Sequence, residues 1–300
     1  MPKKEIDLSE LGKLIAEGPA GEEKIKKLTE QAGVLAETLS LMIKRTRPYE
    51  VPIRSDGDNT IRFGLIGDTQ IGSAYQRIDA LAAFYHRCFD EGIETILHAG
   101  DVIDGWRVYR GQEFELHPNG RSWPEQRKMF AESIPKIDGM VTIFVTGNHD
   151  NSFKKLIGMI VGEELMLARP DWKFVGQDVA DVILRTAEKQ RFTVRLLHPG
   201  GGINQYALSY RPQRIIEAIP GGQKPDLIGI GHFHKAFYIP NYRNIAALCV
   251  GCFQSQTPFM AQQSIMAHIG GWIITATLGE RKKLTSRISA EFISFFEEQS

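Results

Sequence analysis

Nine polar residues of this 300-residue sequence fall in short clusters, most of them marked by glycine. They are Asp68 and Gln70 in Gly67-Asp-Thr-Gln, Asp101 and Asp104 in Gly100-Asp-Val-Ile-Asp, Asn148 and His149 in Gly147-Asn-His-Asp, His198 in His198-Pro-Gly, and His232 and His234 in Gly231-His-Phe-His. Carboxylates, imidazoles and amide oxygens without a thiolate suit hard-to-borderline divalent ions such as Mn²⁺, Fe²⁺ or Zn²⁺. One carboxylate can bridge two such ions, and two ions together hold a phosphoryl group and generate a hydroxide nucleophile. Each cluster alone is weak evidence, because Asp68 or Asp101 could cap a following helix and His232 and His234 could form a polar turn. Their joint placement is the stronger signal.

That placement follows from the elements. Apolar, strand-like runs at Ile61–Ile66, Thr95–Ala99, Val141–Val145, Thr193–Leu197 and Leu227–Ile230 each lead directly into one cluster. Further strands are expected near Ile245–Val250 and Trp272–Thr277. A helical segment with Ile78, Leu81, Tyr85, Cys88 and Phe89 on one face separates the first two runs. Strands alternating with helices imply an α/β fold, and the later strands with fewer helices between them imply a mixed second sheet. Ligands in open α/β sheets sit at the carboxyl ends of strands, so five such loops can share one crevice.

The ordered set Asp68-x-Gln70, Gly100-Asp101-x-x-Asp104, Gly147-Asn148-His149-Asp150, His198 and Gly231-His232-x-His234 resembles the calcineurin-like metallophosphoesterase superfamily over about Arg62 to Thr277. The resemblance implies a sandwich of two mixed β-sheets flanked by helices, in a domain spanning 60–300. It implies that Asp68, Gln70 and His234 hold a first metal, that Asn148, His198 and His232 hold a second, and that Asp101 bridges them. A metal-bound hydroxide would attack phosphorus, His149 would act as general acid on the leaving group, and Asp104 would orient His149. The expected activity is a dinuclear-metal-dependent phosphoesterase acting on DNA, RNA or nucleotides. The superfamily's first motif usually reads Asp-x-His. Gln70 replaces that histidine with a neutral amide oxygen, which favours Mn²⁺ or Mg²⁺ over Zn²⁺.

Residues 1–54 read as a separate helical region. Gly33 between two short amphipathic segments suits a helix-turn-helix, and a helical hairpin used for assembly suits it equally. From Lys24 to Arg54 seven basic residues face three acidic ones, although the whole chain balances 36 Lys and Arg against 36 Asp and Glu. That zero balance excludes a strongly basic nucleic-acid coat but not a local basic patch. Pro48 and Pro52 form the expected joint to the main domain. No apolar run is long enough for a membrane span, no secretory leader is evident, and three cysteines are too few for a disulfide framework, so a cytoplasmic location is expected. Cys249 and Cys252 read as buried hydrophobes, His98 as a core histidine and Asp150 as a cap or backbone acceptor. Trp106 to Arg110 and Arg121 to Trp123 bring arginine and aromatic side chains near the clusters, a mixture that suits a nucleotide or a single strand. A small phosphorylated metabolite remains the alternative substrate.

Overall fold

The computed structural model describes residues 48–56, 59–202, 206–279 and 285–296. The helical reading of 1–47 therefore lies outside the described residues. Two six-stranded sheets face one another. The first has the order β1 (Tyr49–Pro52), β6 (Val179–Arg185), β7 (Arg191–Leu197), β8 (Leu227–Ile230), β10 (Ile245–Val250), β9 (Ala236–Tyr242). The second has the order β12 (Thr285–Ser294), β11 (Gly270–Leu278), β2 (Thr60–Ile66), β3 (Thr95–His98), β4 (Val141–Thr146), β5 (Trp172–Gln177). Both are mixed, and the fold is the α/β sandwich expected.

The central strands are apolar throughout because both of their faces are covered. Successive side chains point to opposite faces of a strand. In β2, Phe63 and Leu65 enter the core between the sheets while Ile66 enters the outer one. In β10, Ala246, Leu248 and Val250 face the inner core, whereas Ile245, Ala247 and Cys249 pack beneath α5 (Tyr210–Glu217) through Ile216. The outer face of the second sheet is covered by α1 (Ile78–Asp90), α2 (Trp123–Ser133), α3 (Asn151–Ile157) and α4 (Val161–Ala168), with Trp172, Phe130 and Phe144 fully buried there. A short α6 (Pro258–Gln262) is capped by Thr257, whose hydroxyl accepts from the Met260 amide.

Two expectations change. The buried face of α1 is Leu81, Phe84, Tyr85 and Cys88, and Phe89 is half exposed, since it follows Cys88 by one position and is turned about 100° off the stripe. The proline-marked joint contains strand β1, which pairs in parallel with β6 from Tyr49↔Val182 to Pro52↔Arg185. Proline is tolerated there because β1 is an edge strand.

The topology positions the clusters. β2, β3 and β4 are parallel neighbours in one sheet, and β7 and β8 are parallel neighbours in the other. The loops that leave their carboxyl ends meet at one edge of the sandwich.

Candidate metal centre and general acid

His198 joins the two sheets. Its Nδ1–H donates to the Ala99 carbonyl (2.8 Å) at the end of β3, which leaves Nε2 directed at the Asp101 carboxylate (Oδ2, 3.0 Å) and the Asn148 amide oxygen (3.1 Å). Two oxygen acceptors and one imidazole nitrogen thus converge in a buried pocket that needs a cation or a proton. Asp101, His198 and His232 offer ligand atoms all within 4.8 Å of one another. With no ion bound, burial opposes the charged His198 ring, and the Asp101 carboxylate outweighs it and pushes the imidazole up to about 9. The donors present are the hard-to-borderline set a divalent ion requires, so the residues fit a metal.

Asp68 lies at the next position around the edge. Both of its carboxylate oxygens accept the His232 amide (2.9 and 3.0 Å), and Oδ1 lies 3.3 Å from His234 Nε2. Gln70 is fully buried. Its Nε2 donates to Asp101 Oδ2 at 3.4 Å, while its Oε1 has no hydrogen-bond partner. An orphaned, buried amide oxygen on a side chain that also touches the Asp101 carboxylate is a donor that fits a cation.

The backbone at these residues is unusual. Asp68, Gln70, Asp101, His232 and His234 carry φ values of +50°, +48°, +55°, +78° and +52°. Side chains other than glycine rarely adopt this left-handed region, at a cost of roughly 1–2 kcal/mol each, and it persists where the surroundings dictate it. The glycines of the clusters serve another purpose, close approach. A Cβ on Gly147 would lie 2.3 Å from Asp101 Oδ1, and one on Gly100 would lie 2.6 Å from His198 Nδ1.

His149 follows Asn148 and faces the same space. Its backbone N–H donates to Asp101 Oδ1 (2.8 Å), and its Nδ1–H donates to the Asp104 carbonyl (2.6 Å), with the Asp104 carboxylate 3.6 Å away. Burial works against the imidazolium, but the charges of Asp101 and Asp104 prevail and push it up to about 9. With Nδ1–H engaged by Asp104, the form these two carboxylates favour is the imidazolium, with a second proton on Nε2.

All nine residues singled out from the sequence come to this edge. Others were not legible there. Gln112 is buried and donates from Nε2 to the Asp104 carbonyl (2.7 Å), while its Oε1 accepts from Val108 N. Gln126 of α2 brackets Gly105 from both sides, accepting from its N–H (2.9 Å) and donating to its carbonyl (2.8 Å). Tyr109 packs edge-on against His149 at 6.1 Å, stacks on Phe259 at 4.3 Å, and donates its hydroxyl to Glu115. Asp150 accepts from Val102, Ile103 and Gly147 amides (3.1, 2.9 and 2.8 Å), which makes it the backbone acceptor that sequence allowed and ties the second loop to the third. His98 is a fully buried core residue, with burial pushing its imidazole down to about 3. Cys249 and Cys252 are likewise buried.

The DNA polymerase II small subunit of Halobacterium salinarum is 25% identical over 251 residues, covering 72% of this chain and 48% of the relative, so the chain spans about half of that protein's length. Among solved structures, a conserved uncharacterized protein of Streptococcus pneumoniae aligns with 78% of this chain and 90% of its own at 11% identity (TM-score 0.37). Chaetomium thermophilum Vps29 aligns with 78% and 94% at 12% identity (TM-score 0.38). The family model for calcineurin-like phosphoesterases matches residues 61–236, which run from β2 through the His232-x-His234 loop, and the chain belongs to that family.

Proposed function

We propose that the chain hydrolyses phosphodiester bonds of nucleic acid or nucleotides, with His149 as general acid. The observation that carries this reading is the convergence of Asp101 Oδ2, Asn148 Oδ1 and His198 Nε2 beside an imidazole held by Asp104. Asp68, Gln70 and His234 would hold one divalent ion and Asn148, His198 and His232 a second, with Asp101 between them; Mn²⁺ suits the oxygen-rich first set. When bound, such ions polarise a phosphoryl group and lower the pKa of water. The chain's own part is to position and to move a proton. Asp104, whose carbonyl takes the Nδ1–H of His149, would hold the ring and leave Nε2–H to be given to a departing oxygen.

The nucleic-acid reading draws on the polymerase subunit relative and on the basic excess within residues 24–54, six of whose seven basic residues precede β1 and would belong to a separate DNA-reading region. The balanced net charge favours the second reading, a small phosphorylated metabolite with the N-terminal region used for assembly. A substrate comparison under Mn²⁺ tests both: single-stranded DNA against nucleoside monophosphates and cyclic nucleotides. Cleavage of the polynucleotide supports the first. Turnover of small esters without cleavage of DNA decides for the second.

A further inference from the structure

Behind the site, two residues with no role in the reading above close a complete chain of hydrogen bonds. His98 ends β3, is fully buried, and lies against Trp172 with ring centroids 5.7 Å apart. Its Nδ1 accepts from the Gly100 amide (3.2 Å). A backbone N–H can only donate, so Nδ1 carries no proton, and the neutral ring holds its single proton on Nε2. Nε2 lies 3.1 Å from the hydroxyl of Thr69, also fully buried, so the ring donates and Thr69 Oγ1 accepts. The hydroxyl then has its own proton free, and it donates to the Val102 carbonyl at 2.8 Å. Every donor and acceptor in the sequence Gly100, His98, Thr69, Val102 is determined.

The ends of this chain are informative. Thr69 separates Asp68 from Gln70, and Gly100 and Val102 flank Asp101. Three of the left-handed residues are thus bracketed by it. The backbones of the two loops also pair, through Asp68 N to Gly100 O, Gln70 N to Asp101 O and Ile71 N to Val102 O. Those bonds set the spacing of the loops through main-chain atoms. A ring and a hydroxyl of fixed length between the loops add a side-chain brace to the same stretch of backbone. We infer that His98 and Thr69 form a neutral hydrogen-bond relay that positions Asp68, Gln70 and Asp101 as one preorganised donor set. The inference rests on reading those three residues as metal ligands. Partners behind first ligands commonly control metal affinity in this way.

The test uses the full-length chain, with Mn²⁺ alone as the probe. Nitrogen-15 spectra of the wild-type histidines read the tautomer of His98 without any substitution. A proton on Nε2 at neutral pH is expected, and a proton on Nδ1 overturns the relay by itself. Calorimetric titration then compares Thr69→Val, which keeps the shape and removes the hydroxyl, with Thr69→Ser, which restores it. Thr69→Val should bind Mn²⁺ roughly tenfold more weakly and Thr69→Ser within about twofold of wild type. Ile274→Ala, a cavity in the core between the sheets, should lower stability without lowering affinity. Equal Mn²⁺ affinity in Thr69→Val and wild type, or equal loss in Thr69→Ser, overturns the relay. A wild-type chain that binds no Mn²⁺ overturns instead the metal reading of the site.

Discussion

At the scale of single residues, His149 separates binding from chemistry. Its contact with Asp101 comes from the backbone amide, and its side chain is held by Asp104 and packed by Tyr109. His149→Ala should therefore retain its bound metal, measured by elemental analysis, and lose roughly 10²–10⁴-fold in Mn²⁺-dependent cleavage of a bis-aryl phosphodiester. Full activity toward a poor leaving group would refute the acid role. Gln70 offers the opposite case. Gln70→His exchanges a neutral oxygen for a nitrogen donor at a backbone conformation histidine tolerates, so competition between Zn²⁺ and Mn²⁺ should move toward Zn²⁺. An unchanged metal ratio would show that Gln70 Oε1 is no ligand. The nine clustered residues were legible because their types announce chemistry and their neighbours are glycine. Thr69, Gln112 and Gln126 were not, because each is an ordinary polar residue whose meaning lies in partners brought together only by folding; His98 was legible as a core histidine, but its bond to Thr69 was not. His98 reaches Thr69 across 29 positions, and Gln126 reaches Gly105 across 21.

At the scale of elements, strands covered on both faces could be read directly and edge strands could not. Leu227–Ile230 and Ile245–Val250 coincide with β8 and β10. β5, β9 and β12 escaped, since an edge strand mixes polar residues into its pattern, and β9 even holds Pro240; β6 escaped too, although internal, because Asp181 and Arg185 interrupt its apolar run. Glycine at strand ends was legible as a signal, but its reason is spatial. At Gly147 a methyl group would displace the Asp101 carboxylate and press on His198, so Gly147→Ala should cost about 1–3 kcal/mol of stability and weaken Mn²⁺ binding. Gly200 has open space around it and an unexceptional φ, so Gly200→Ala is the control and should stay within about 0.5 kcal/mol of wild type in denaturant melts. Equal effects of the two substitutions would remove the packing explanation.

At the scale of the whole molecule, a net charge of zero conceals unlike regions. Asp68, Asp101, Asp104 and Asp150 are all buried at one edge, and the basic excess lies in residues 24–54. Where the chain is cut decides which of these is tested. The sequence alone suggested a boundary at 54, but β1 belongs to the sandwich, and Val51 and Ile53 are buried in the core between the sheets. A chain of residues 55–300 loses both side chains, at roughly 1.5–3 kcal/mol apiece, and should melt about 10 °C lower than one of residues 48–300. Truncation at 48 keeps all twelve described strands and the nine clustered residues. It should cleave the small diester as the full chain does. If residues 1–47 read phosphates, the shorter chain should also lose affinity for DNA and show a shallower slope of log affinity against log salt. An unchanged slope, with catalysis intact, would assign polynucleotide binding to the sandwich itself and leave the N-terminal residues to assembly.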